Sequence, residues 1–185
     1  MRIAIIAWGS VVWDPRNLMF VGKFEPTDLR LPLEFCRVSG DGRLTLVIDE
    51  KFGEICPARV AVSGFRELQQ TIKDLRAREN TTAKNIGFVD CVTGKHSARE
   101  KGSSAYVVET VVSWVAANDY DAAVWTALSR NFLEPFSVDA AIKYLEIQRA
   151  QTLERALRYI RKAPPEVQTP VRAAVKARWP GGKEA

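Results

Sequence analysis

"RIAIIAWGSVVWDPR" occupies residues 2–16, and the way its apolar run ends governs how the rest of the chain is understood. Residues 2–8 are nearly continuously apolar over one strand length, the pattern of a strand covered on both faces. Gly9 and Ser10 then interrupt it. A glycine lets the backbone turn sharply, and successive N–H groups beyond such a turn can form a nest for a carboxylate or another anion. Ser10 adds a hydroxyl donor, although an ordinary strand exit explains the same two residues. Trp8 and Trp13 suit core or pocket wall, Asp14-Pro15 is a turn-forming pair, and Arg16 suits either a surface cation or a clamp on a substrate carboxylate.

Working outward, strands and helices alternate without internal repeat or low-complexity linker. "LEFCRVS" (33–39) and "RLTLVID" (43–49) are strand-like around "GDG", which predicts a hairpin. "ICPARVAV" (55–62) is a further strand, with Pro57 suggesting an edge or a strand start. Ser63 suits an N-cap for a helix over 65–80, and "NIGFVDCV" (85–92) returns to strand. In "SSAYVVETVVSWVAAN" (103–118) the valines favour strand, but Val108, Val111, Val112 and Val115 fit one helical face, which predicts a helix capped by Ser104. "DAAVWTAL" (121–128) is the last strand. One long helix is predicted from Ser137 to Lys162, and another from Thr169-Pro170 to the stop at Pro180-Gly181-Gly182.

With 185 residues, 46% of them hydrophobic, the chain suits one globular domain. Its organisation is a core over 1–136 and a helical extension over 137–185 packed on the same domain. No apolar stretch approaches a membrane span and no small-residue cleavage site follows Arg2, so the expectation is a soluble, cytoplasmic protein. Cys36, Cys56 and Cys91 lie far apart inside apolar runs, the pattern of buried thiols rather than of a disulfide or zinc site. His96, the only histidine, falls in a polar stretch expected to be loop. The net charge of +5 is local: from Arg149 onward nine Lys/Arg face three Glu. Without aromatic–basic interleaving, a solvated helical face outweighs nucleic-acid binding.

The helix over 65–80 carries the most informative residue. Phe65, Leu68, Ile72 and Leu75 define an apolar stripe whose next member is Glu79. A carboxylate therefore falls where a leucine would continue the stripe, in the last turn, where the helix dipole disfavours it. Desolvation there would suit a general base working near neutral pH. A frayed end with Glu79 in water, or paired with Arg76 or Lys84, is the competing reading.

Together these two segments produce a resemblance. "IAWGSVVWDPRNL" is similar to the Tyr-Gly-Ser-x-Leu loop at the start of gamma-glutamylcyclotransferase superfamily proteins. "LRARENTTAKNIG" resembles the region that carries the superfamily's catalytic glutamate. The resemblance implies a mixed α/β (α+β) fold with a small barrel-like sheet and flanking helices, and no metal or organic cofactor. It implies cyclisation of a gamma-glutamyl amide to 5-oxoproline, releasing an amine or amino acid. Glu79 would be the general acid/base, and Gly9, Ser10 and Val11 would hold the substrate's α-carboxylate or reacting carbonyl. Trp8, Val12 and Arg16 complete the substrate-binding set. Trp8 stands where the family has tyrosine, and Val11-Val12 where a polar residue and leucine are usual. Lys84, Asn85, Trp125, Thr126 and Asn131 are further candidates for a pocket wall. The other class of reading is a non-catalytic or regulatory member that binds a carboxylate-bearing small molecule or a protein partner.

Overall fold

The computed structural model describes residues 1–97, 104–132 and 135–181. Residues 98–103 of the polar stretch behind His96, and Gly182, lie outside the described residues. Seven strands form one mixed sheet in the order β3-β2-β4-β1-β7-β5-β6. β1 (Ile3–Ala7) lies between β4 (Glu54–Ser63), antiparallel to it, and β7 (Ala122–Thr126), parallel to it. β2 (Phe20–Val38) and β3 (Leu44–Ile48) extend the sheet beyond β4 as an antiparallel hairpin. β5 (Ile86–Asp90) and the two-residue β6 (Lys95–His96) extend it beyond β7.

The continuous hydrophobicity of β1 now has its cause. Alternate side chains serve different cores: Ala4, Ile6 and Trp8 join one, while Ile3, Ile5 and Ala7 join the other. Each fully buried isoleucine contributes about 1.5–3 kcal/mol. Helix α1 (Leu68–Glu79) covers the second face with Leu68, Ile72 and Leu75. Helix α2 (Ala105–Ala117) covers the first with Val107, Val108, Val111 and Val115; Ser104 caps it by accepting the Val107 N–H, and Val112 is exposed. The C-terminal helices α3 (Val138–Glu146), α4 (Ala150–Lys162) and α5 (Pro170–Arg178) add Ala141, Leu145, Ala156, Leu157, Ile160, Val171 and Val175 to that same core. The molecule is thus α+β, a seven-stranded mixed sheet with five α-helices among the described residues. None of those helices is long and apolar enough to cross a membrane.

Several expectations are corrected. β2 begins at Phe20, because register shifts between Val21 and Glu25 and between Pro26 and Arg30 break the alternation that marks a strand. Pro57 lies in an interior strand, where it pairs with Arg30 beside one of those shifts, so its missing N–H costs no regular ladder bond. Ser63 belongs to β4 and does not cap α1; its hydroxyl pairs with Thr71 Oγ1 and accepts the Phe65 N–H, and α1 starts at Leu68. The long helix is two helices. Gln148 and Arg149 fall where the apolar stripe would continue past Leu145, so nothing anchors a straight course, and Gln148 Nε2 satisfies the Tyr144 carbonyl at the break. His96 is in β6 opposite Val89, and Cys91 is exposed although Cys36 and Cys56 are buried. Arg172 does not join a solvated face: it donates to the carbonyl of Arg161 in the last turn of α4 and to those of Ala163, Pro164 and Val167 beyond it.

Candidate functional site

Two chain turns build one cavity. The first follows β1, where Val12 N–H donates to Gly9 O (2.9 Å) and Asp14 N–H to Ser10 O (2.8 Å). These turn bonds leave the N–H groups of Ser10 and Val11 without a carbonyl partner among the described residues. The second ends α1. Asn80 adopts a left-handed conformation (φ 48°, ψ 52°), and Thr81 N–H reaches Arg76 O while Asn80 N–H reaches Ala77 O. This is a Schellman ending, which turns the chain at once and leaves Glu79 on the face toward β1 and β7.

Between the turns lies a cavity of about 330 Å³, within the range of small-molecule sites. Gly9, Ser10, Val11, Glu79 and Thr126 line it, with Trp8, Arg78 and Tyr159. The Glu79 side chain is 15% exposed, so it is not a frayed carboxylate in water. Its Oε1 accepts from Arg78 Nη1 (2.6 Å) and Thr126 Oγ1 (3.3 Å), while Oε2 makes no hydrogen bond among the described residues. Its partner is Arg78, neither Arg76 nor Lys84.

Arg78 ties the two turns together. Its side chain is 3% exposed; Nη2 donates to Ser10 Oγ (3.2 Å) and to the Asp14 carbonyl, while Nη1 holds Glu79. Its Nε is buried without a hydrogen-bond partner among the described residues, a cost that marks an arginine fixed by its other contacts. Arg16, in the left-handed region at φ 54°, donates to Arg78 O (3.1 Å) and stands 3.5 Å from Asp14 at the exposed rim.

The remaining expected residues divide. Trp8 is buried and its indole N–H donates to Leu46 O (3.4 Å), so it forms wall and core. Val11 lines the cavity with its side chain buried in the second core. Val12 does not line the cavity: it packs against that core, a correction that follows from the turn pointing it away. Of the further wall candidates only Thr126 lines the cavity. Trp125 is fully buried over Gly87, Asn131 exchanges hydrogen bonds with the Val38 backbone, Asn85 donates to Thr81 Oγ1, and Lys84 is exposed.

Comparison with protein-family models, with curated proteins and with solved structures yields no match.

Sequence reasoning missed Tyr159. This α4 residue is buried against Trp13 (5.3 Å, edge-on) and Phe35 (6.2 Å, edge-on), and its hydroxyl reaches the loop after β1. A Cβ added to Gly9 would lie 2.9 Å from that oxygen, so the glycine is required by close approach. Burial pushes the phenol above its ordinary value and the nearby Glu79 carboxylate adds to this, while backbone hydrogen bonds at Leu46 and Ser10 and the Arg43 charge oppose it. Arg37 and Arg43, on the opposite wall, were likewise not anticipated. Arg43 holds both oxygens of Asp41 (3.0 and 2.8 Å) and lies over the Tyr159 ring at 5.3 Å. With Arg16 and Arg78 they make four arginines on a cavity to which Glu79 contributes the one carboxylate among its lining residues, an arrangement suited to an anionic ligand. Among the described residues, no three His, Cys, Asp or Glu side chains gather as metal ligands.

Proposed function

We propose that this chain is a gamma-glutamyl cyclotransferase-type enzyme of gamma-glutamylcyclotransferase-like fold, converting a gamma-glutamyl amide to 5-oxoproline and a free amine or amino acid. One observation carries the reading: the Glu79 carboxylate and the Gly9–Ser10 loop line the same cavity and are joined through Arg78. Glu79 takes a proton from the substrate's α-ammonium, and the freed amine attacks the side-chain amide carbonyl. The new C–N bond closes a five-membered ring and places negative charge on the carbonyl oxygen, which the Val11 N–H stabilises beside Ser10, whose own N–H meets the Tyr159 hydroxyl. The original amide C–N bond then breaks as Glu79 returns the proton to the departing nitrogen; Glu79 next takes the second proton that the ring nitrogen must lose and passes it to the amine, which leaves as an ammonium. Thr126 holds the carboxylate for both transfers. Trp8 removes the family's phenol from the loop, and the Tyr159 hydroxyl supplies one at the same loop from α4. Being small and rich in arginine, the cavity favours a carboxylate-bearing small molecule over a nucleic-acid partner.

The test is 5-oxoproline release from a panel of gamma-glutamyl compounds, with Glu79→Gln as control. The expected loss is about 10²–10⁴-fold, the usual contribution of a positioned acid/base. Equal activity in the two proteins, or none with any substrate, refutes the assignment. Ligand binding without turnover in the wild type would favour the regulatory alternative, which the four arginines support equally well.

A further inference from the structure

The cavity has a second charged end that the cyclisation does not use. Opposite the Glu79 turn, Arg37, Ser39, Gly40, Arg43 and Thr45 line it from β2, β3 and their hairpin. Three of its four arginines have carboxylates: Arg78 has Glu79, Arg43 has Asp41, and Arg16 has Asp14. Arg37 has none among the described residues. It is half-buried, and its Nη1 donates to the neutral Ser129 carbonyl (2.7 Å). Burial pushes its guanidinium below the ordinary value with no anion opposing the shift. An arginine stays cationic under such a shift, so this is a partly desolvated charge that the described residues leave unmatched.

We propose that Arg37 is the centre of a second anion subsite, which holds a carboxylate or phosphate on the departing half of the substrate. This rests on reading the cavity as a gamma-glutamyl site, and it decides in favour of an anion-bearing leaving amine over a plain one. The guanidinium is preset. Ser129 O fixes its direction, and Val38 and Asn131 exchange hydrogen bonds of 2.7 and 2.9 Å that lock this stretch of chain to β2. Both ends belong to one small-molecule-sized cavity: Glu79, held by Thr126, and Arg37, held by Ser129, line the same space of about 330 Å³. With the α-carboxylate and reacting carbonyl at the loop after β1, the departing half extends toward the hairpin.

Three gamma-glutamyl amides test this, those of alanine (a carboxylate), 2-aminoethyl phosphate (a phosphate) and ethylamine (no anion), with wild type, Arg37→Gln and Arg37→Lys. The expected result is a KM for one or both anionic amides raised about 10–100-fold by Arg37→Gln. The kcat should change little, the ethylamide should be unaffected, and Arg37→Lys should recover part of the loss. The ratio of the two anionic amides in the wild type identifies the preferred anion. Equal loss on all three amides, or no wild-type preference for an anion, overturns the subsite. Calorimetric binding of the same amides to Glu79→Gln and to Glu79→Gln/Arg37→Gln separates the two readings. An anion preference that vanishes with Arg37 upholds the subsite even if no amide is turned over, whereas equal or absent binding of all three refutes it.

Discussion

Replacing Gly9 by alanine tests the contact that joins the two ends of the chain. Gly9 has no positive φ, so an alanine suffers no backbone penalty and its whole cost is steric. The added Cβ would stand 2.9 Å from the Tyr159 hydroxyl oxygen. That oxygen cannot swing aside, because Trp13 and Phe35 pack edge-on against the ring and Arg43 lies over it. Overpacking of this kind costs about 1–3 kcal/mol, and at about 2 kcal/mol the melting temperature falls by ~4–8 °C in a chain of this size. Tyr159→Phe removes the obstructing atom and costs about 1 kcal/mol for its hydrogen bonds. In that background Gly9→Ala should cost at most about 0.5 kcal/mol, giving a coupling of at least about 1 kcal/mol in the double-mutant cycle. Urea denaturation of the four proteins measures it. The same cost for Gly9→Ala in both backgrounds would show that the tyrosine does not set the glycine requirement.

Two other perturbations probe the buried charges. Arg78→Met leaves Glu79 without its cation and releases the turn after β1, and the expected loss is about 2–4 kcal/mol by denaturant titration; a loss under 0.5 kcal/mol would refute the role of Arg78 in joining the turns. Glu34, buried at β2 with its Oε2 accepting the Val171 N–H (3.3 Å) at the start of α5, has its carboxyl raised above 4.5 by burial despite opposing hydrogen bonds at Thr169, Phe35 and Val171. Its folded state therefore favours the proton, so the stability it contributes is complete below pH 4.5 and is lost as pH rises through the raised value. Glu34→Gln should gain on the wild type steadily above pH 4.5 in thermal melts, and parallel curves between pH 4 and 8 would contradict this.

The elements legible in the sequence are those where local signals agree with packing: β1, the β2–β3 hairpin turn, α2 behind its Ser104 cap, and α5 behind Thr169-Pro170. The N-terminal half of β2 was hidden because its bulges destroy the period of two, and the α3–α4 break because Gln148 and Arg149, which interrupt the apolar stripe, are good helix formers without a glycine or proline to mark a stop. For the site, periodicity along α1 led to Glu79. The same stripe, stepped by three residues from Leu75, reaches Arg78, so the arginine that joins the turns was within reach. Tyr159 left no such trace. It lies beside Ala156, Leu157 and Ile160 on an apolar face, and nothing in α4 separates a residue that packs from one whose hydroxyl meets a loop near the N-terminus.

That meeting of Gly9 with Tyr159 also bears on synthesis. One wall of the cavity is made when the first strand emerges, and another only after α4 has been translated and has docked. A chain still on the ribosome holds the loop, and soon Glu79, but not the phenol between them. Contacts between such distant positions form late in folding. A product cut short before α4 would therefore keep the loop and Glu79 and lack the wall that Tyr159 builds.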